Sequence, residues 1–131
     1  MDKTIHIYLV DDDLDDQEIF QMALREIDEN IQCTPANNGV EALEKLQYDV
    51  SFTPDYIFID MNMPKMNGMD CLRQMRSLNR LKNTKIIMYS TTSDARLIDA
   101  SQQIGASDFM IKPSNLTILK EQLAAIFGYN K

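Results

Sequence analysis

The chain has 131 residues, a formal net charge of −7 and a hydrophobic content of 44%. That length suits about one domain, and the composition is globular rather than disordered. No apolar run reaches the ~20 residues of a membrane span, so no membrane insertion is expected. The opening Met1-Asp2-Lys3-Thr4 is no signal peptide. Two cysteines, Cys33 and Cys71, are too few for a disulfide scaffold or a zinc site, which fits a cytoplasmic location. The acidic balance argues against nucleic acid as a direct ligand. Residues 1–62 hold fifteen acids and three bases, residues 63–131 five acids and ten bases. Two differently solvated faces explain this as well as a docking surface does, so no function is placed on it.

Short apolar runs alternate with helical patterns. Ile5 to Val10 reads as a buried strand that stops at Asp11-Asp12-Asp13-Leu14-Asp15-Asp16, where carboxylates favour a helix start. Phe20, Ala23, Leu24 and Ile27 then repeat with helical spacing. Ile31 to Ala36 predicts a second strand, and Pro35, which donates no ladder hydrogen bond, places it at a sheet edge. Asn37-Asn38-Gly39 is a turn before a helix over Val40 to Leu46. Pro54 precedes a third strand, Tyr56 to Ile59, running into Asp60. A turn with Pro64 and Asn67-Gly68 leads to a helix that points Met69, Leu72 and Met75 inward. Lys85 to Tyr89 is the fourth strand, followed by Ser90-Thr91-Thr92. A helix from near Asp94 to Ile104 is stopped by Gly105. Phe109 to Ile111 is the fifth strand, ending in Lys112-Pro113, and Leu116 to Phe127 the last helix. Five strands alternating with five helices predict an α/β fold: a parallel sheet with helices on both faces.

Ligands of such sheets bind beyond the carboxyl ends of the strands. Just past four strand ends stand Asp11-Asp12-Asp13, Asp60, Ser90 and Lys112, so topology gathers carboxylates, a hydroxyl and an ammonium at one rim. Two carboxylates ~4 Å apart repel by about 4 kcal/mol at an effective dielectric of ~20. The cluster therefore takes up protons or a cation, and oxygen ligands with room for water suit Mg²⁺. A carboxylate beside Mg²⁺ is also a possible nucleophile toward phosphorus, forming an aspartyl phosphate. A hydroxyl and a lysine opposite would bind the phosphoryl oxygens.

Val10-Asp11-Asp12, Asp60-Met61-Asn62-Met63-Pro64 followed by Gly68, Ser90-Thr91, and Gly105-Ala106-Ser107 leading to Lys112-Pro113 together resemble the receiver domain of bacterial two-component response regulators. The resemblance covers essentially the whole chain and rests on the order of the motifs more than on any one. It implies a flavodoxin-like sheet of order 2-1-3-4-5 and a single receiver domain over 1–131 with no output domain. It makes Asp60 the phosphoacceptor, with Asp12, Asp60 and the Asn62 carbonyl on Mg²⁺ and Asp11 acting through a water. Ser90 would bond the phosphoryl group, Lys112 would pair with it, and Phe109 would be the aromatic whose rotamer follows the switch. The Lys112–Pro113 bond would be cis. Ser90 departs from the commoner Thr, and a bulky Thr91 follows it where many receivers have Ala or Gly.

The implied function is a switch that takes a phosphoryl group from a sensor histidine kinase or phosphotransfer protein and changes its affinity for a downstream protein. The output would pass through the fourth helix, fifth strand and fifth helix, with Phe109 or Tyr89 repacking as Ser90 moves. The long Gln47–Thr53 connection and Ser90-Thr91-Thr92-Ser93 are similar to receivers paired with phytochrome-type kinases. The competing reading is a Mg²⁺-dependent phosphatase of the haloacid-dehalogenase type, which places its nucleophile first, a second Asp two residues on, and its acid pair last. Here the acid pair comes first and Asn62 follows Asp60 by two. A flavin carrier is disfavoured because the aspartates after the first strand would repel a phosphate. Asp13, Asp15 and Asp16 read as helix-capping and solubility residues. His6 reads as structural, most of the nine methionines as core filler, and Cys33 and Cys71 as small buried hydrophobes. Arg73, Arg76, Arg80, Lys82 and Lys85 read as a solvated helix and loop.

Overall fold

The three central apolar runs become strands because their β-branched and aromatic residues are buried on both faces of a parallel sheet, where no polar alternation is needed. A computed structural model describes residues 4–129. The elements are β1 (His6–Val10), α1 (Leu14–Ile27), β2 (Gln32–Ala36), α2 (Gly39–Tyr48), β3 (Tyr56–Asp60), α3 (Gly68–Arg76), β4 (Lys85–Ser90), α4 (Ala95–Ile104), β5 (Asp108–Ile111) and α5 (Leu116–Phe127). The strands pair in parallel in the order β2-β1-β3-β4-β5, which puts Pro35 on an edge.

Two cores flank the sheet. Tyr8, Val10, Ile57, Ile59, Ile86 and Met88 face α2 and α3, packing on Leu46, Leu72 and Met75. Ile7, Leu9, Phe58, Ile87 and Tyr89 face α1 and α5, packing on Phe20, Leu24, Leu119 and Leu123. Each fully buried side chain such as Phe58 or Leu72 contributes roughly 2–3 kcal/mol of apolar burial. Among the described residues no helix is long and apolar enough to cross a membrane.

Caps set the helix starts. Asp13 accepts from the backbone N–H groups of Asp15 and Asp16, fixing α1 immediately behind β1. Asn38, Asn67 and Asn115 do the same for α2, α3 and α5. The Asn38 cap starts α2 at Gly39, and the helix runs on to Tyr48, longer than its apolar stripe predicts. Gly105 ends α4 with φ +129°.

The basic cluster divides. Arg73, Lys82 and Lys85 are exposed, whereas Arg76 and Arg80 are structural. Arg76 donates to the carbonyls of Gly105 (2.8 Å) and Leu81 (2.9 Å). Arg80 donates to the carbonyls of Leu46, Asp49 and Phe52, closing the connection between α2 and β3. A short 3₁₀ turn over Asn79–Leu81, with no apolar periodicity to announce it, carries Arg80 there. The expectation of a cis Lys112–Pro113 bond is corrected, because among the described residues no peptide bond is cis. Trans is the lower-energy isomer of an X–Pro bond by about 0.5–1 kcal/mol, and Lys112 reaches its carboxylate partners from it.

Candidate functional site

Four strand ends meet at one rim. Asp11 follows β1 and is fully buried, its backbone N–H donating to the Ala36 carbonyl at the end of β2 (3.0 Å). Asp12 is exposed beside it. Asp60 closes β3 at 7% exposure, and Ser90 closes β4 fully buried. Lys112 follows β5, and its backbone N–H donates to the Ser90 carbonyl (2.7 Å).

Asp11, Asp12 and Asp60 each offer a carboxylate oxygen within 4.8 Å of the others. Lys112 Nζ lies 3.3 Å from Asp11 Oδ2 and 3.6 Å from Asp60 Oδ2. Asp16, read from the sequence as a capping or solubility residue, joins them with its Oδ2 2.9 Å from Lys112 Nζ. Three carboxylates thus pair with one ammonium, which also stands 5.0 Å over the Tyr89 ring.

Burial, more than the neighbouring charges, sets the ionisation of the acids. Burial raises the Asp60 pKa to about 6; Lys112 opposes the shift and Asp11 adds to it. Burial also raises Asp11, against the Asp13 N–H (2.9 Å) and the Lys112 charge. For Lys112, burial alone would lower the pKa, but its pairing with Asp16, Asp11 and Asp60 outweighs it and holds the ammonium above the usual lysine range.

The remaining predicted residues take distinct places. Asn62 is exposed, and its backbone N–H donates to Asp60 Oδ1 (3.2 Å). Ser90 Oγ accepts from the Thr92 N–H (3.2 Å). Phe109 pairs with Met88 and packs half-buried against the core under α2 and α3. Residues alternate faces along a strand, so Ser90 shares the face of Met88 while Tyr89 belongs to the opposite core. Tyr89 is wedged edge-on against Phe20 and Phe58. Of the two aromatics, Phe109 is therefore the one on the hydroxyl's side.

Gly68 makes the rim possible. Its N–H donates to the Met61 carbonyl (2.9 Å), and a Cβ there would lie 2.5 Å from the Asp60 carbonyl oxygen. Gln17 was not singled out in the sequence. It is buried and donates to the Asp11 carbonyl (2.6 Å) and Asn37 Oδ1 (3.0 Å), tying the ends of β1 and β2. A polar residue three positions before Phe20, on the buried stripe of α1, is the signal that could have found it.

This arrangement can hold a divalent cation among carboxylates and present an ammonium to an anion on Asp60. The sequence profile of the response regulator receiver domain matches residues 7–124. The chain is 36% identical over 95 residues to chemotaxis protein CheY1 of Helicobacter pylori, covering 72% of this chain and 75% of that protein. The crystal structure of the phosphorylated cyanobacterial phytochrome response regulator RcpA superposes with a TM-score of 0.87 at 26% identity, covering 97% of this chain and 94% of that one. Chemotaxis response regulator CheY4 of Vibrio cholerae gives a TM-score of 0.82 at 26% identity, covering 95% and 99%. The chain belongs to the response regulator receiver family of two-component signalling proteins.

Proposed function

We propose that the chain is a phosphorylation switch in which Asp60 takes a phosphoryl group from a sensor histidine kinase or phosphotransfer protein. The observation that carries this is the convergence of Asp11, Asp12 and Lys112 on the Asp60 carboxylate. An Asp60 oxygen forms the new bond to phosphorus as the phosphorus–nitrogen bond to the donor imidazole breaks, leaving an acyl phosphate and a histidine. Water later hydrolyses that acyl phosphate.

The residues present fit Mg²⁺. The carboxylate oxygens lie within 4.8 Å, and an octahedral ion with bonds of ~2.1 Å needs ligands about 3–4 Å apart. Three acids paired with one lysine, and Asp12 beside two of them, leave a deficit of positive charge, and exposed Asp12 leaves room for water. Asp12, Asp60 and the Asn62 carbonyl would hold the ion, with Asp11 acting through a water. When bound, Mg²⁺ would neutralise charge on the phosphoryl oxygens and on Asp60. Lys112 would pair with the phosphoryl group, and the Ser90 hydroxyl would donate to it. Phe109, on the face that Ser90 vacates, would follow by changing rotamer. The changed surface of α4, β5 and α5 would then select a downstream protein by its differential affinity. The half-buried Cys33 and buried Cys71, both free thiols, are consistent with a cytoplasmic location.

Intact-mass measurement after incubation with acetyl phosphate and Mg²⁺ tests the reading. Wild type should gain one phosphate, while Asp60→Asn and EDTA-treated protein should gain none. Mg²⁺ titration should give roughly millimolar affinity, lost in Asp12→Ala. Equal labelling of Asp60→Asn would overturn the assignment.

A further inference from the structure

Lys112 is shared unequally. Its Nζ lies 2.9 Å from Asp16 Oδ2, 3.3 Å from Asp11 Oδ2 and 3.6 Å from Asp60 Oδ2. The shortest of the three pairs goes to the acid outside the set that could hold a cation. The Asp16 side chain is 36% exposed and that of Lys112 only 12%. Asp16 can therefore turn to water when its partner leaves, whereas buried Lys112 must always keep an anion.

We propose that Asp16 is a positioning residue that holds the Lys112 ammonium on the α1 side of the acidic pocket until a phosphoryl group on Asp60 draws it across. The proposal rests on the reading of Asp60 as phosphoacceptor. Before phosphorylation, Asp16 draws positive charge away from the carboxylates that take the cation and adds its own negative field, so it favours Mg²⁺. Toward a phosphoryl group the same carboxylate competes for the ammonium and repels the added negative charge. One residue thus acts in opposite directions on two ligands of one pocket. A capping or solubility role for Asp16 would not do this, because a loosened helix start weakens both.

The test follows Mg²⁺ and beryllofluoride binding by NMR at the Asn62 and Asp13 amides, which donate to Asp60 Oδ1 and Asp11 Oδ1. Beryllofluoride is titrated with Mg²⁺ saturating for each variant. In Asp16→Asn the Mg²⁺ Kd should rise about three- to tenfold and the beryllofluoride Kd fall by a similar factor, as for a partly exposed ion pair. Asp16→Glu should restore both. Asp15→Asn, which removes a charge from an exposed position in the same turn, should not tighten beryllofluoride. Any other pattern in Asp16→Asn, including no change or a shift of both affinities in one direction, overturns the proposal. Wild type that binds neither ligand overturns the phosphoacceptor reading and this proposal with it. Wild type that binds both beside an indifferent Asp16→Asn overturns this proposal alone.

Discussion

Lys112 Nζ stands 3.6 Å from Asp60 Oδ2, although the two residues end different strands with β4 between them. The ammonium does not satisfy the acids around it, and burial still raises the Asp60 pKa to about 6. Asp60 therefore binds its proton more tightly when folded than when unfolded. Its ionisation costs folding stability as pH rises from about 4 through 6, and the cost is fully present above that.

The cost is measurable as a difference between two proteins. Asp60→Asn should match wild type near pH 4 and be more stable by about 2–3 kcal/mol at pH 7 in EDTA. Urea denaturation at both pH values checks this, and saturating Mg²⁺ should remove most of the difference. A wild type as stable as Asp60→Asn at pH 7 without metal would remove the charge deficit from the account.

Gly68→Ala should destabilise despite the usual gain of alanine in a helix. The new Cβ would lie 2.5 Å from the Asp60 carbonyl oxygen and 2.8 Å from Met61 Cα, both backbone atoms with no room to yield. Overpacking of this kind costs about 1–3 kcal/mol. A fall in the urea midpoint together with slower labelling of Asp60 is the expected pair of results.

Arg80→Ala should separate fold from function. Its guanidinium serves the carbonyls of Leu46, Asp49 and Phe52, away from the rim. Losing these charged hydrogen bonds should cost about 1.5–3 kcal/mol. Calorimetry should show unchanged Mg²⁺ affinity while the melting temperature falls.

Ser90→Ala should accept phosphate yet transmit it poorly. The hydroxyl is buried on the face that Phe109 shares, and its own turn holds it through the Thr92 N–H. NMR shifts at Phe109 and Gln102 should respond to beryllofluoride in wild type and much less in Ser90→Ala. Identical responses would uncouple Ser90 from the aromatic.

Most of the fold was legible because β1, β3 and β4, buried on both faces, read as apolar runs, and each stops at a polar rim residue. Pro35 even fixed an edge from one missing N–H. Asp11, Asp12, Asp60 and Lys112 were legible for the same reason, since topology alone brings strand ends together. Asp16 was not, because an acid in a first helical turn already has a sufficient local reason to be there. The partner of its carboxylate, Lys112, is distant in sequence. Arg76 and Arg80 were hidden likewise: an arginine that satisfies carbonyls resembles a solvated one until the loops close around it. A cis Lys112–Pro113 bond follows from family likeness rather than from any residue's physics, and the bond is trans.

Asp60, and no other acid of the rim, should receive the phosphoryl group. Borohydride reduction converts an aspartyl phosphate to homoserine, leaving a mass mark at the modified position. After acetyl phosphate and Mg²⁺, peptide mapping should place homoserine at position 60 and aspartate at positions 11, 12 and 16. Homoserine at Asp11, Asp12 or Asp16 with Asp60 unmodified would contradict the account.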